Sequence, residues 1–273
     1  MDDEANLDWL PAQKKRLAEF NVEQCVDIHC HLLPGLDDGP ADMSQAVALG
    51  QALAEDGVTT VVTTPHQLGR YDRLNSAELI NQRIAELASV LEAEQVPLKL
   101  LPGGDIRIDE RLTKLLDNGD IISLANAGAH LLLELPHELL VDPLSSIEML
   151  VNRGLQPIIT HPERHLYLAG RDELLQRWVD AGAVIQLTAG SLLGDFGRRA
   201  HHQAWQILQL GLASLVATDA HDVVRRPPRL TRVLSVLTDE VGASRSRILC
   251  IDNPLLVLRG SSIAHPQTII ADA

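Results

Sequence analysis

Seven short apolar runs, rich in β-branched residues, recur along this 273-residue chain and alternate with amphipathic stretches. Such alternation of strands with helices implies parallel strands joined by crossover helices. Seven such units, in a chain long enough to bury a large core, favour a closed α/β barrel over an open sheet. The predicted strands are Cys25–His29, Val58–Thr64, Leu98–Ile106, His130–Leu135, Gln156–Thr160, Ala183–Leu187 and Ala213–Thr218.

Five stretches between or after these runs carry apolar residues at helical spacing. Asp42 and Gln45 resemble a capping box at the start of the first stretch. We predict that residues 25–273 form one domain, preceded by an N-terminal extension, residues 1–24, with one helical candidate at Leu10–Phe20. The other predicted helices are Asp42–Asp56, Ser76–Glu94, Arg171–Ala181, Arg198–Leu210 and Pro228–Val241.

The first predicted strand ends in two histidines separated by one residue. His29 and His31 point to the same side of a strand, and Asp38 follows seven residues after His31. The loop that joins them is rich in turn-forming residues. Its functional interpretation is delivery of Asp38 to a metal ion, with Asp37 as a supporting partner. The alternative is an ordinary turn whose aspartates cap the next helix.

Histidine or carboxylate side chains also end or follow the other predicted strands, with the sixth strand as the exception. Active sites of α/β barrels lie where strands end and loops begin, so we predict that these side chains meet at one point. Imidazole and carboxylate ligands suit manganese, iron or zinc better than calcium. Nine side chains are too many for one ion, so two or three ions would share them. The predicted ligands are His29, His31, Asp38, His66, Asp105, Glu134, His161, Asp219 and His221.

Clustered metal ions lower the pKa of a bridging water and clamp the attacking and leaving oxygens of an in-line displacement, which suits phosphate ester hydrolysis. The remaining phosphate oxygens need donors, and Arg164 and Arg226 are the candidates. The alternative for either arginine is a surface salt bridge. Among the other histidines, interpreted as surface or packing residues, His165 is the best candidate to line the pocket. These other histidines are His130, His137, His165, His201, His202 and His265.

Composition excludes several classes of protein. A net charge of −14 argues against wide, nonspecific nucleic-acid binding, which needs a basic surface. Three cysteines do not make a disulfide framework, and Cys30 points away from its histidine neighbours on a strand, as a packing residue would. No apolar run approaches the length of a membrane span, and no signal-peptide core follows the acidic N-terminus. We therefore expect a cytoplasmic protein.

Five motifs together resemble those of one known superfamily: Asp27-Ile-His-Cys-His31, Leu33-Pro-Gly-Leu-Asp-Asp-Gly-Pro40, Thr64-Pro-His66, His161-Pro-Glu-Arg164 and Asp219-Ala-His221. The chain is similar to the PHP (polymerase and histidinol phosphatase) superfamily and, within it, to the bacterial manganese-dependent protein-tyrosine phosphatases of the CpsB/CapC type. The resemblance implies a distorted (β/α)7 barrel with three metal ions. It also implies that the nine residues above are the ligands and that Arg164 and Arg226 contact phosphate.

The resemblance further implies hydrolysis of phosphotyrosine on bacterial tyrosine kinases that control capsule or exopolysaccharide export, and self-association of the enzyme. Two features depart from the family pattern. Asp105 stands where the family usually has a glutamate that bridges two metals, and the N-terminal extension is atypical.

Two other functions remain open at this level. A small-molecule phosphatase of the same superfamily, such as a histidinol-phosphate phosphatase, would use the same metal motifs, although the Asp37-Asp38 loop favours the protein phosphatase. A noncatalytic metal-binding module would be expected to have degraded ligand positions, and only Asp105 departs here.

Overall fold

Nine parallel strands form the frame of residues 24–264, the part of the chain that the computed structural model describes. The predicted parallel α/β architecture is therefore confirmed. The helical candidate Leu10–Phe20 and His265 lie outside the described residues. The strands are β1 (Val26–Cys30), β2 (Thr60–Thr63), β3 (His66–Gln67), β4 (Lys99–Pro102), β5 (Asp105–Arg107), β6 (His130–Glu134), β7 (Gln156–Thr160), β8 (Val184–Thr188) and β9 (Ala213–Ala217).

The strands are divided between two sheets, with orders β1-β2-β4 and β3-β5-β6-β7-β8-β9. The sheets meet where β1 lies beside the segment after β9, a contact that we call the β1–β9 seam. There the Asp219 amide donates to the His29 carbonyl (2.8 Å), and the His31 amide donates to the Ala220 carbonyl (2.9 Å). The parallel α/β class of the predicted distorted (β/α)7 barrel is thus confirmed, whereas the strands form two sheets and not one closed ladder.

The second boundary between the sheets arises because the third predicted strand is two strands, separated by Gly103 and Gly104. A Cβ atom on Gly104 would lie 2.3 Å from Gln67 Oε1, so a side chain at this position would displace Gln67 from its hydrogen bond with the Ile122 amide (3.1 Å). After the two glycines, Asp105 of β5 pairs with His66 of β3 in the larger sheet. The interruption therefore sets two candidate ligands side by side.

All five helices predicted within the described residues are confirmed, with ends within about two residues. Asp42 caps the first helix by accepting a hydrogen bond from the Gln45 amide (3.0 Å). No helix among residues 24–264 is long and apolar enough to cross a membrane. The helices are α1 (Met43–Glu55), α2 (Ala77–Ala93), α3 (Leu112–Asn118), α4 (Leu144–Asn152), α5 (Asp172–Asp180), α6 (Ala189–Leu193), α7 (Gly197–Gln209), α8 (Leu230–Val241), α9 (Ala243–Arg247) and α10 (Asn253–Leu258).

Apolar side chains fill the space inside the strands, and the ligand-type residues lie beyond them at the strand ends. Val26 and Ile28 of β1 pack there with Leu132 of β6 and Leu215 of β9. A separate and larger apolar cluster contains residues of both the strands and the surrounding helices, and it includes Cys30. The interpretation of Cys30 as a packing residue is therefore confirmed.

Asp56, which follows α1, caps a helix far along the chain. Its carboxylate accepts hydrogen bonds from the Leu230 amide (2.6 Å), the Thr231 amide (3.4 Å) and the Thr231 hydroxyl. These amides are at the start of α8, where backbone donors lack partners within the helix. Burial raises the pKa of Asp56 from 3.8 to about 6, although the hydrogen bonds from Thr231 and Leu230 lower it.

Replacing Asp56 by asparagine should change how stability depends on pH. The folded wild-type carboxyl binds a proton more tightly than the unfolded one, so its contribution to the free energy of unfolding decreases as pH rises from 3.8 to about 6. The D56N variant keeps a cap acceptor without this titration. We expect urea unfolding of metal-free protein to show the wild type losing about 2 kcal/mol relative to D56N between pH 4 and pH 7.

The matched control is Asp42→Asn at the exposed cap of α1. Hydrogen bonds from Gln45 and Ser44 lower the pKa of Asp42, so its contribution to stability should increase as pH rises. Equal pH dependence in wild type and D56N would contradict the role given to Asp56.

Candidate metal centre

The nine predicted ligands converge at the carboxyl-terminal ends of the strands. Five imidazoles and four carboxylates form four overlapping groups, and within each group the ligand atoms lie within 4.8 Å of one another. The groups are His31/Asp38/His66/His221, His29/Asp105/His161, His29/His31/Asp219 and His66/Asp105/Glu134.

Two residues lie at the centre of this arrangement. His29 Nε2 is 3.3 Å from His31 Nε2 and 3.3 Å from Asp219 Oδ1. Asp105 Oδ2 is 3.7 Å from His29 Nε2 and 3.3 Å from His66 Nδ1. The shorter aspartate side chain thus reaches two groups of candidate ligands, as a bridging carboxylate must.

Hydrogen bonds at the outer ring nitrogens fix the orientation of three imidazoles. His29 Nδ1 contacts Gln186 Oε1 (2.8 Å), and His31 Nδ1 contacts Asp37 Oδ2 (2.6 Å). His221 Nδ1 contacts the backbone carbonyl of Asp219 (3.0 Å). A neutral imidazole that donates from Nδ1 presents the lone pair of Nε2, so these contacts prepare Nε2 to bind a metal ion.

The two carboxylates of the Asp37-Asp38 loop make different contacts. Asp37 Oδ2 also accepts a hydrogen bond from the His66 amide (2.9 Å), so Asp37 holds two candidate ligands in place. Asp38 Oδ1 lies 3.4 Å from His66 Nε2 and 3.6 Å from His221 Nε2. The alternative that these aspartates cap the next helix is wrong, because Asp42 caps it.

Backbone strain accompanies two of the candidate ligands. His161 (φ 34°) and Asp219 (φ 53°) both adopt the left-handed region, which costs free energy for residues other than glycine. Each directly follows its strand by one or two residues and turns back toward the cluster. The folded chain therefore carries backbone strain at the two residues whose side chains turn toward the cluster.

Several buried atoms in the cluster make no hydrogen bond within the described part of the chain: Asp105 Oδ1, Asp219 Oδ1, His161 Nδ1 and His221 Nε2. A buried polar atom without a partner is costly, so a concentration of them indicates an ion or water that satisfies them. Lone pairs of imidazole and carboxylate are the atoms that a transition-metal ion binds. The residues present therefore fit a metal centre.

The electrostatics of the cluster also favour a cation. Burial lowers the pKa of His66, but the nearby Asp105 and Asp38 carboxylates outweigh burial and raise it to about 11. Positive charge is therefore stabilised at this point. Burial lowers the pKa of His31 to about 3, helped by neighbouring His221, so His31 is a neutral ligand at pH 7.

Arg164 and Arg226 approach the cluster from the same side. Both guanidinium groups donate to Asp219 Oδ2, whereas Asp219 Oδ1 faces the candidate ligands His29 and His31. Arg164 also stacks over the Phe196 ring at 4.4 Å. The alternative of surface salt bridges is wrong for these two arginines, because their common partner is fully buried.

A cavity of about 340 Å³ opens above the cluster, and both arginines line it. His137 lines the cavity as well, with Nε2 3.6 Å from Glu134 Oε1. His165 is buried against His137, with ring centroids 4.6 Å apart, and is absent from the cavity wall. The sequence-based preference for His165 over His137 is therefore wrong.

Comparison with known protein families identifies the chain. Residues 25–259 match the family model described as capsular polysaccharide synthesis, CpsB/CapC.

The chain belongs to the CpsB/CapC family.

Curated relatives of this CpsB/CapC chain carry tyrosine phosphatase names. It is 32% identical to tyrosine-protein phosphatase YwqE of Bacillus subtilis over 249 residues, 89% of this chain and 96% of the relative. It is 34% identical to the putative tyrosine-protein phosphatase CapC of Staphylococcus aureus over 212 residues, 77% of this chain and 82% of the relative. Tyrosine-protein phosphatase CpsB of Streptococcus pneumoniae is 25% identical over 85% of this chain and 98% of its own length.

Comparison with solved structures gives the same family assignment. One chain, from work on YwqE of Bacillus subtilis and CpsB of Streptococcus pneumoniae as unique metal-dependent tyrosine phosphatases, superposes with a TM-score of 0.84. It is 31% identical, and the match covers 88% of this chain and 96% of that one. An organophosphorus hydrolase from Deinococcus radiodurans, with a TM-score of 0.53 and 15% identity, shares the fold alone.

Two residues at the site of this CpsB/CapC chain escape sequence analysis. Gln186, which holds His29, lies on β8, so the sixth predicted strand does contribute to the site. In the sequence, the one sign of its role is that a single amide side chain interrupts an apolar run. His137 follows Glu134 by three residues, and only the path of that loop brings it to the cavity.

Proposed function

We propose that this chain is a manganese-dependent protein-tyrosine phosphatase. Its proposed substrate is phosphotyrosine on a bacterial tyrosine kinase that controls capsule or exopolysaccharide synthesis. The observation that carries the proposal is the contact of Arg164 and Arg226 with Asp219, a member of the nine-residue cluster. This contact supports the proposal, because it brings two guanidinium groups, of the kind that bind phosphate, beside candidate metal ligands.

The proposed ligands of two or three Mn²⁺ ions are the nine residues of the cluster, and iron or zinc would suit the same donors. When bound, such ions supply Lewis-acid activation of water and of the phosphate ester.

The chain's own residues would bind and orient the phosphate. Arg164 offers a planar fork of donors, and stacking on Phe196 limits the directions in which this fork can point. Arg226 reaches the same point from the loop after His221. Two guanidinium groups that converge on one carboxylate oxygen are placed to share a phosphoryl group in the same way.

The test is phosphate release from a phosphotyrosine peptide by metal-stripped full-length protein, with and without Mn²⁺. We expect strong Mn²⁺-dependent turnover. A phosphoserine peptide and histidinol phosphate serve as comparisons, because a small-molecule phosphatase would favour histidinol phosphate in kcat/KM. Failure to hydrolyse the phosphotyrosine peptide with metal demonstrably bound would refute the proposal.

We further propose that the reaction takes place in the cytoplasm and that residues 25–273 act as one catalytic domain. The family description and the relatives' names support a role in capsule synthesis. Three buried free cysteines suit a reducing compartment. A homo-oligomer is proposed by family analogy alone, and size-exclusion chromatography with light scattering would test it.

A further inference from the structure

One wall of the cavity has a basic and aromatic character that the phosphate-binding arginines do not account for. Arg70 and Tyr71 line it, on the loop that follows β3. The Arg70 side chain is 69% exposed, and Arg70 is among the residues that line the cavity. An exposed guanidinium group at the edge of the cavity is available to contact a bound molecule.

The position of Arg70 is set by a stack of planar groups. The Tyr71 ring stacks on His66, with centroids 5.5 Å apart and planes inclined by 13°. The Arg70 guanidinium carbon lies 4.7 Å from the Tyr71 ring centre, and Nη2 donates to the Tyr71 hydroxyl (2.6 Å). This pair of contacts holds the guanidinium next to a candidate metal ligand.

The loop itself is anchored. Asn75 Nδ2 donates to the His66 carbonyl (2.8 Å) and to the Leu36 carbonyl (2.9 Å). Arg111 Nη2 contacts Asp72 Oδ1 at 3.1 Å. The hydrogen bonds of Asn75 and the ion pair of Asp72 with Arg111 therefore hold in place the loop from which Arg70 projects.

Arg70 contacts a different candidate ligand from the two phosphate-binding arginines. Its Nη2 lies 3.5 Å from Asp38 Oδ2, whereas Arg164 and Arg226 contact Asp219. In an aryl phosphate the ring is joined to phosphorus through a single oxygen. A phosphoryl group held between the ligand cluster and the two arginines therefore has its ring in the cavity that Arg70 lines.

We propose that Arg70, held by Tyr71, stacks on the aryl ring of the bound phosphate ester and so selects aryl over alkyl phosphates. The guanidinium plane is weakly hydrated and packs well on aromatic faces. An alkyl phosphate, such as phosphoserine, has no ring to place there. The inference rests on the proposed phosphatase function and names a specificity residue for it.

Binding of two non-hydrolysable phosphonates by the Mn²⁺-loaded full-length protein tests the proposal. We expect calorimetry to show that wild type binds phenylphosphonate about tenfold more tightly than methylphosphonate. Arg70→Ala should remove this preference and leave methylphosphonate binding unchanged. Arg70→Lys keeps the charge but not the plane, so it should lose most of the preference.

The matched control is Arg73→Ala, an arginine on the same loop that is 86% exposed and outside the cavity wall. It should leave both affinities unchanged. Absence of aryl preference in wild type, its persistence in Arg70→Ala, or equal weakening of both phosphonates would overturn the proposal. An aryl preference that depends on Arg70, in a protein that does not hydrolyse phosphotyrosine, would refute the proposed function and leave this inference standing.

Discussion

Replacing His161 by alanine is expected to lower kcat for phosphotyrosine hydrolysis by about 10³-fold or more, because metal ions of the proposed kind contribute several kcal/mol to transition-state stabilisation. His161 is fully buried, and its backbone adopts a strained conformation that aims the ring toward His29, with ring centroids 5.8 Å apart. Among residues 24–264, its group contains His29 and Asp105 besides itself, so loss of the imidazole would leave two ligands in that group.

Phosphate release and elemental analysis of bound metal should be measured on the same preparations. His202→Ala is the matched control, because His202 is exposed on α7, away from the strand ends. It should retain wild-type turnover. Asp219→Ala should be at least as damaging as His161→Ala, because Asp219 contacts both the histidines and the two arginines. Full activity of either variant after metal removal would refute the metal-centre assignment.

Replacing Arg164 is expected to separate phosphate binding from metal binding. Arg164→Ala should lower kcat/KM for a phosphotyrosine peptide by about 10²-fold, because the proposed charge-assisted contact with the phosphoryl group is lost. Arg164→Lys should recover only part of this loss, since an ammonium group cannot reproduce the planar fork on Phe196. The metal content should stay near that of wild type, because Arg164 offers no lone pair to a cation.

Arg171→Ala provides the control for Arg164, as a nearby exposed arginine whose side chain does not cap α5. Its kcat/KM should equal that of wild type. If Arg164→Lys were as active as wild type, a diffuse positive charge would suffice and the bidentate role would be wrong. If Arg164→Ala lost its metal, Arg164 would instead act by orienting Asp219.

The convergence of the nine candidate ligands was predictable because strand periodicity and barrel topology leave little freedom at strand ends. Once His29 and His31 share a face and the other motifs each end a parallel strand, the chain can hardly avoid bringing them together. Gln186 was not predictable in the same way, because its contact with His29 depends on how the strands β8 and β1 lie relative to each other.

The interruption of the sheet was also beyond sequence periodicity. Gly103 and Gly104 are consistent with either a kinked strand or two strands, and the pairing of β4 with β2 and of β5 with β3 distinguishes the two. The short helix α4, nine residues that begin after Pro143, was not predicted. Elements of this length are stabilised by packing, which is invisible in one sequence.

The division into two sheets gives the cluster a second physical consequence. His29 lies in β1 of the smaller sheet and His31 directly follows it, whereas Asp219, in the same group of candidate ligands, follows β9 of the larger sheet. In the proposed holoprotein a cation would bind ligands from both sheets at once and would therefore cross-link the two sheets at the β1–β9 seam. Thermodynamic linkage then makes manganese supply a determinant of the lifetime of the folded protein as well as its turnover, which a rise of Tm and of protease resistance with Mn²⁺ concentration would reveal.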